Sequence, residues 1–276
     1  MDWRNEFADF ADVAYLNVST QGPVPLVAAR AAQVAIEWKK SPHTIPQETY
    51  FGLPDRVRAL LARLINAAPE EIAITTGASS GLLAAAQAIA WQPGDEILIA
   101  RGEFPAHSAT WIPLAERDAL SVKIVTPAGR FLAADDLIAQ LGPRTRLVSV
   151  SLVRFDDASL LDAQRLAAAC RRSGVYVLLD VSQCAGAMPM DVRALGADFL
   201  VCAGYKWLLS PYGTGFLWVR GDLIDQLRVA PFYWMAVEGA ANFHSLPLAG
   251  MKPARGARRW DSPETASFFH LAAMEA

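Results

Sequence analysis

The feature that most constrains the fold is an alternation of short apolar runs with helix-like runs between about residues 55 and 220. Several short runs are apolar throughout, which is typical of strands covered by helices on both faces. The strand-like runs include EEIAITTG, DEILIA, TRLVSVSLV, VYVLLDVSQ, DFLVCAG and GFLWVR. The alternation predicts an α/β fold, namely a mostly parallel, doubly wound sheet with flanking helices.

Composition and charge exclude several other classes of protein. Hydrophobic residues make up 53% of the 276 residues, so a sizeable core is expected and disorder is not. The net charge of −3, without a block of like charges, argues against nucleic acid or an anionic membrane as a partner. The longest uncharged run, 72–94, contains Thr, Ser, Gln and Pro residues, and predicts strand, loop and helix instead of a membrane span.

The cysteines and histidines indicate no metal site. Cys170, Cys184 and Cys202 are an odd number without CxxC spacing, so neither a disulfide framework nor a zinc site is expected. Cys184 is interpreted as a small buried residue instead of a nucleophile. The N-terminus resembles no signal peptide, and we expect a cytoplasmic protein. Each histidine is interpreted as a satisfied or exposed side chain: His43, His107, His244 and His270.

Three polar features follow predicted strands, at the edge where open parallel sheets bind ligands. Residues 77–81, Gly-Ala-Ser-Ser-Gly, open a helix whose free N–H groups suit a phosphate. Asp180 ends one strand, where a buried carboxylate needs a cation such as a protonated ring nitrogen. Lys206 follows another strand in apolar surroundings, which favour a free amine able to attack a carbonyl. Phosphate, ring nitrogen and aldehyde together indicate pyridoxal 5'-phosphate.

Each feature also has an ordinary structural explanation. A lysine after a strand is often a surface side chain, and an aspartate there often caps a helix. A Gly/Ser turn before a helix is common in α/β folds. The three features in one order, at matching strand ends, favour the cofactor interpretation. A nicotinamide-dependent dehydrogenase is disfavoured because no Gly-x-Gly-x-x-Gly turn follows a strand.

A longer stretch carries a resemblance to a known family. The sequence reads Asp180-x-x-Gln183, then D-V-x-x-L-x-x-D-F over 191–199, then Tyr205-Lys206 and a Gly-Thr-Gly turn at 213–215. This pattern resembles the class V aminotransferase-fold PLP enzymes, which include cysteine desulfurases, isopenicillin N epimerase-like proteins and kynureninase. The resemblance covers about residues 14–265 and implies fold type I.

The resemblance implies a role for each matching residue. Lys206 would be the catalytic residue, forming a Schiff base with the cofactor and moving protons. Asp180 would bind the ring nitrogen, and Gln183 the phenolic oxygen of the ring. The remaining cofactor-binding residues would be Gly77, Ala78, Ser79, Phe104 and Tyr205: the first three at the phosphate, Phe104 stacked on the ring and Tyr205 near the phosphate. Ala203 stands where many members have a phosphate-binding Ser.

The resemblance also implies the reaction and the organisation of the protein. We expect chemistry at the α-carbon of an amino acid or amine, transamination first, with desulfurase-like or epimerase-like activity as the alternative. A non-catalytic PLP-fold binding protein is the other rival, and a homodimer is implied. The expected domains are an N-terminal segment (1–24), a PLP-binding large domain (25–235), and an interface loop with the start of a truncated C-terminal domain (236–276). Ser262 is expected to cap a last helix.

Overall fold

The computed structural model describes residues 3–229, 233–247, 249–265 and 267–276. Within them seven strands form one sheet, in the order β1-β7-β6-β5-β4-β2-β3. The strands are β1 (Ile72–Thr75), β2 (Glu96–Ala100), β3 (Ser121–Val125), β4 (Thr145–Ser151), β5 (Tyr176–Asp180), β6 (Phe199–Ala203) and β7 (Gly215–Val219).

The sheet is mostly parallel, as the sequence predicts. Strands β3, β2, β4, β5 and β6 run parallel to one another. Strand β7 is antiparallel to both of its neighbours, β6 and β1. Strand β1 therefore points the same way as β5 and β6, and the carboxyl ends of these three strands lie at one edge of the sheet.

Helices cover both faces of this sheet, which confirms the doubly wound architecture. They are α1 (Leu26–Lys40), α2 (Thr49–Leu64), α3 (Ala78–Ala88), α4 (Pro105–Asp118), α5 (Ala134–Ile138), α6 (Ala163–Arg172), α7 (Val192–Leu195) and α8 (Phe268–Glu275). Strand β6 shows the two-sided burial: Leu200 and Cys202 join the core under α2, α6 and α8, and Phe199 and Val201 join the core under α3 and α4. Side chains alternate along a strand, so a fully apolar strand serves two cores.

None of the helices in the described ranges is long and apolar enough to cross a membrane. The run 72–94 forms strand β1, a turn and helix α3, as its polar residues predict. The proposed domain boundaries at 24 and 235 stay a prediction.

The last helix begins later than the sequence predicts. Ser262 was expected to cap it, but α8 begins at Phe268 after Ser267. The backbone N–H of Ser262 instead donates to the carbonyl of Ile74 in β1, at 2.9 Å. The capping expectation was wrong because the chain at Ser262 still runs along the free edge of the sheet, where an edge strand leaves backbone groups that need partners, and turns into a helix only at Phe268.

An ion pair completes the cover of this edge. The Arg58 guanidinium on α2 donates to both carboxylate oxygens of Asp261, at 3.1 and 2.9 Å, and to the Ile72 carbonyl at 2.6 Å. Asp261 also accepts the N–H of Ile74 at 2.8 Å. Both charged side chains are buried. They therefore hold β1, and the turn that follows it, against the rest of the molecule.

We expect Asp261→Ala to lower the free energy of unfolding by about 3–5 kcal/mol, because Arg58 would keep an uncompensated buried charge. The measurement is urea unfolding of the purified protein. Asp225→Ala is the matched control: this exposed carboxylate meets Arg259 at 3.2 Å, and its loss should cost under about 0.5 kcal/mol. Equal effects of the two changes would show that the buried pair does not hold β1.

Candidate active site

A cavity lies at the edge of the sheet where β1, β5 and β6 end. Its empty space, including the part that is open to solvent, is about 490 Å³. Its lining includes seven of the eight sequence-predicted site residues, namely Gly77, Ala78, Ser79, Phe104, Asp180, Tyr205 and Lys206, together with Thr76, Ser80, Ala106, Ser182 and Ala203. The strand directions thus bring together residues that lie far apart in the sequence. We call this space the Lys206 cavity.

Lys206 is the basic residue of the cavity. The side chain is buried, and its Nζ lies 5.0 Å from the centre of the Phe104 ring. Burial lowers the pKa of Lys206, while the charge of Asp180 opposes this shift without forming a close ion pair. Desolvation disfavours the ammonium form, so the amine is available as a nucleophile or base at a lower pH than an exposed lysine.

Asp180 supplies the negative charge of the cavity. It ends β5 and is 6% exposed. Burial by itself would raise the pKa of this carboxyl, but His107 and Ser182 outweigh burial and hold the pKa below its ordinary value. The Ser182 backbone N–H donates to Asp180 Oδ1 at 2.8 Å. The group is therefore a carboxylate at neutral pH, and it suits a cationic ligand atom.

The start of helix α3 forms another wall of the cavity. Gly77 precedes the helix with φ 154° and ψ −179°, a conformation that L-residues rarely adopt. The first N–H groups of a helix have no partner within it, and they carry partial positive charge. Next to them, Ser80 Oγ accepts a hydrogen bond from the backbone N–H of Thr76 at 3.1 Å. This wall has the properties of an anion site.

Two aromatic residues flank the cavity. Phe104, just before α4, is 36% exposed and packs edge-on against Phe155, with ring centres 5.4 Å apart. Tyr205 stacks on Tyr212 at 3.9 Å. Burial, and then Tyr212 and Asp180, raise the pKa of the Tyr205 phenol. The phenol therefore stays protonated and can donate a hydrogen bond.

Gln183 is the predicted site residue that does not line the cavity. Its Nε2 donates to the Ser19 carbonyl at 2.9 Å, and its Oε1 accepts from Trp207 Nε1 at 2.9 Å. Gln183 therefore links the N-terminal segment to the loop after Lys206. The amide carries a second N–H hydrogen, and its role toward a ligand stays a prediction.

The N-terminal segment lies against the Lys206 loop. The Gly22 N–H donates to the Tyr205 carbonyl at 2.8 Å. A Cβ at position 22 would lie 2.0 Å from the Lys206 carbonyl oxygen, so only glycine fits there without displacement. These contacts, and that of Gln183 with Ser19, place residues 19–22 beside the site.

Two residues behind Asp180, Ser182 and His107, are not predicted from the sequence. Ser182 holds the carboxylate, as described, and its Oγ accepts the N–H of Ala203 at 2.9 Å. His107 is fully buried, and its Nε2 has no hydrogen-bond partner. The expectation of a satisfied or exposed histidine was wrong for His107, because one of its nitrogens points at Asp180. A hint was available, since His107 follows Phe104 by three positions at the start of a helix.

Cys184 behaves as the sequence predicts. It is buried, and its Sγ contacts the Val181 carbonyl at 3.4 Å. Burial, and then the charge of Asp180, raise the pKa of Cys184 to about 12. The group is thus a thiol at neutral pH, which excludes a thiolate nucleophile here.

Comparison with known proteins gives a consistent picture. The family model for class-V aminotransferases matches residues 30–235. An uncharacterized protein of Schizosaccharomyces pombe is 32% identical over 220 residues, which are 79% of this chain and 50% of that protein. Isopenicillin N epimerase from Amycolatopsis lactamdurans is 30% identical, over 80% of this chain and 58% of its own length. The chain thus spans about half to three fifths of these relatives.

Solved structures of C-DES resemble the fold over its whole length. A lysine-to-alanine mutant of C-DES, with glycine covalently linked to its PLP cofactor, superposes with a TM-score of 0.88 and 27% identity. The superposition covers 99% of this chain and 72% of C-DES. A second structure, the complex of the cystine C–S lyase C-DES with cysteine persulfide, has a TM-score of 0.86 and 26% identity, over 96% of this chain and 71% of C-DES.

We expect the amine of Lys206 to lose its proton at a lower pH than an exposed lysine. Competitive acetylation across a pH series, read out by peptide mass spectrometry, measures this pKa without any ligand. Lys39, exposed on α1, is the internal control. Asp180→Asn removes a charge that raises the pKa of Lys206, so it should lower that pKa further. A Lys206 that titrates together with Lys39 would contradict the burial argument.

Proposed function

Because this chain belongs to the class-V aminotransferase family, we propose that it binds pyridoxal 5'-phosphate in the Lys206 cavity and acts at the α-carbon of an amino acid or amine. One observation carries the proposal. The buried amine of Lys206 and the buried carboxylate of Asp180 line one cavity, which also contains the N-terminus of a helix. These groups match the three reactive ends of the cofactor.

The residues present fit the cofactor. The amine of Lys206 suits the aldehyde, because its lowered pKa favours the nucleophilic form. The carboxylate of Asp180 suits the protonated ring nitrogen, because its pKa is held low and its burial favours a cationic partner. The N–H groups at Ala78 and Ser79 suit the phosphate at the start of α3.

The other predicted contacts have support of differing kinds. Phe104 presents a ring face toward the Lys206 amine, as expected of a residue that stacks on an aromatic cofactor. Tyr205 keeps its phenolic proton and can donate a hydrogen bond to a phosphate oxygen of the cofactor. Gln183 lies one turn after Asp180. One hydrogen of its amide group binds the Ser19 carbonyl, and the second is the one that it would donate to the phenolic oxygen of the cofactor.

The residues of the cavity would have distinct roles in the reaction. When bound, pyridoxal phosphate withdraws electrons from the α-carbon of an attached amino acid, so that a substituent of this carbon can leave. The Lys206 Nζ would be the group that takes and returns the proton there, because its pKa lies below the ordinary value. Asp180 would supply the negative charge for the ring nitrogen, and the hydrogen bond from the Gly22 N–H to the Tyr205 carbonyl holds the 19–22 segment against the Lys206 loop.

Transamination is the leading reaction within this class. Sulfur elimination of the desulfurase kind is the second candidate, and one observation favours it. The C-DES structures superpose with TM-scores of 0.88 and 0.86, and one of them is described as a cystine C–S lyase. Epimerisation is the third candidate, because an isopenicillin N epimerase is 30% identical to this chain.

We also propose the setting in which the protein works. A homodimer is supported by apolar side chains exposed on the N-terminal segment and α1, among them Leu16 at 88% and Val34 at 53%. A reducing cytoplasm is supported by the three cysteines, all free and buried. The partner is a small amino acid or amine, and neither nucleic acid nor a membrane is proposed.

We expect purified protein to bind pyridoxal phosphate with a visible absorption band, and borohydride to fix the cofactor to Lys206. Peptide mass spectrometry locates the label among the five lysines of the chain. Lys206→Ala should abolish the band and the label, and Lys39→Ala should leave both unchanged, because Lys39 is exposed on α1. A label spread evenly over the exposed lysines would overturn the proposed cofactor site.

The reaction itself is tested with amino acids offered to the cofactor-loaded protein. Transamination should release a keto acid and leave the amine form of the cofactor until a second keto acid is added. Sulfur elimination from cystine, which consumes one water, should release pyruvate, ammonia and cysteine persulfide while the cofactor spectrum is regenerated. Epimerisation should change only the optical rotation. Loaded protein that turns over no amino acid would favour a non-catalytic binding protein instead.

A further inference from the structure

His107 on helix α4 is a buried titratable residue that neither the cofactor contacts nor the proposed reaction uses. Its side chain is 0% exposed, and its Nε2 has no hydrogen-bond partner. A buried polar atom without a partner costs free energy, so such an atom calls for an explanation. The Nε2 lies 3.8 Å from Asp180 Oδ2 and 3.9 Å from Glu103 Oε2. The explanation therefore concerns one of these two carboxylates.

The hydrogen-bond chain on the other side of the ring determines which nitrogen carries the hydrogen. Trp111 Nε1, which can only donate, is 2.9 Å from Ser149 Oγ. Ser149 Oγ accepts that hydrogen and is 3.0 Å from His107 Nδ1. The hydroxyl hydrogen of Ser149 is then free to be donated to Nδ1. In the neutral ring this arrangement leaves the hydrogen on Nε2, facing the carboxylates.

Glu103 already has donors. Its Oε1 accepts the Ser151 N–H at 3.0 Å, and its Oε2 accepts the Ser151 hydroxyl at 2.6 Å. Arg154 Nη1 also lies 3.7 Å from Oε1. Asp180 is bound by the Ser182 backbone N–H at Oδ1 and by the Ser182 side chain, and His107 Nε2 approaches its Oδ2 at 3.8 Å and helps to lower the pKa of this carboxyl. The Nε2 hydrogen is therefore directed to Asp180.

We infer that His107 is a positioning residue for Asp180, and that Trp111, Ser149 and His107 form a donor chain ending at Asp180 Oδ2. This inference rests on the proposed function, because the carboxylate it positions is the one that faces the cofactor ring. A small inward movement of either side chain turns the 3.8 Å approach into a hydrogen bond. The chain fixes the carboxylate from behind, so that it stays charged and keeps one orientation toward the cavity.

Nuclear magnetic resonance of ¹⁵N-histidine-labelled protein without cofactor tests the donor chain directly. The four histidines give separable signals, and His107→Gln identifies that of His107. We expect a neutral ring with its hydrogen on Nε2, whose signal moves strongly in Asp180→Asn and weakly in Glu103→Gln. A hydrogen on Nδ1, or a strong response to Glu103→Gln alone, would overturn the inference. The wild-type measurement needs no variant to fold.

Cofactor affinity tests the consequence. His107→Phe keeps an aromatic ring but removes the donor, and should weaken binding of pyridoxal phosphate about tenfold. His107→Gln offers an amide N–H near the same place and should restore affinity to within about threefold of wild type. Thermal unfolding confirms that each variant is folded, and Ser149→Ala, with a smaller loss expected, replaces His107→Phe if that variant unfolds.

The outcomes separate the two proposals. Equal affinity of wild type, His107→Phe and His107→Gln for the cofactor would overturn the role of His107 and leave the proposed function intact. Wild-type protein that binds no pyridoxal phosphate would overturn the proposed function. In that case the resonance experiment still decides whether His107 donates to Asp180.

Discussion

A negative charge buried at the end of a central strand governs the arrangement of the site. Removing the Asp180 carboxylate from water is costly, and Ser182 and His107 offset this cost. Ser182 donates from the next turn, His107 approaches from α4, and Lys206 lies across the cavity on the loop after β6. Each of these elements therefore brings one polar group toward the same carboxylate. A ligand that enters the cavity meets a charge already held in position.

Much of this arrangement follows from the sequence, for a simple physical reason. Parallel strands end at the same edge of a sheet, so polar residues placed after apolar strands meet in space. This reasoning brought Gly77, Asp180 and Lys206 together correctly. It also gave the two-sided burial of the strands, since runs such as 199–203 have no polar face. The sequence therefore contains the position of such a site residue, because the residue directly follows its strand in the chain.

Other features could not be obtained in this way, because they depend on contacts between distant segments. The donor chain to His107 connects α4 with β4 and β5, and no spacing in the sequence encodes it. Gln183 uses its amide on Ser19, more than 160 residues away, a contact that local pattern does not reveal. The expected cap at Ser262 failed for the same reason, because Ser262 pairs with Ile74 at the edge of the sheet and the helix begins only at Phe268. Tertiary partners override local preference in each case.

The position of β1 has a consequence for how the molecule comes to be made. This strand carries the Gly77 turn, yet in the described sheet its neighbour is β7, with Ile72 opposite Trp218. On its outer side, the Ile74 N–H binds the carboxylate of Asp261. During synthesis the Gly77 turn therefore stays without these partners until Trp218 and Asp261 have left the ribosome, and closing such long loops is slow. A ligand that binds at this turn is therefore captured only after those residues are in place, and its binding stabilises the folded state by mass action.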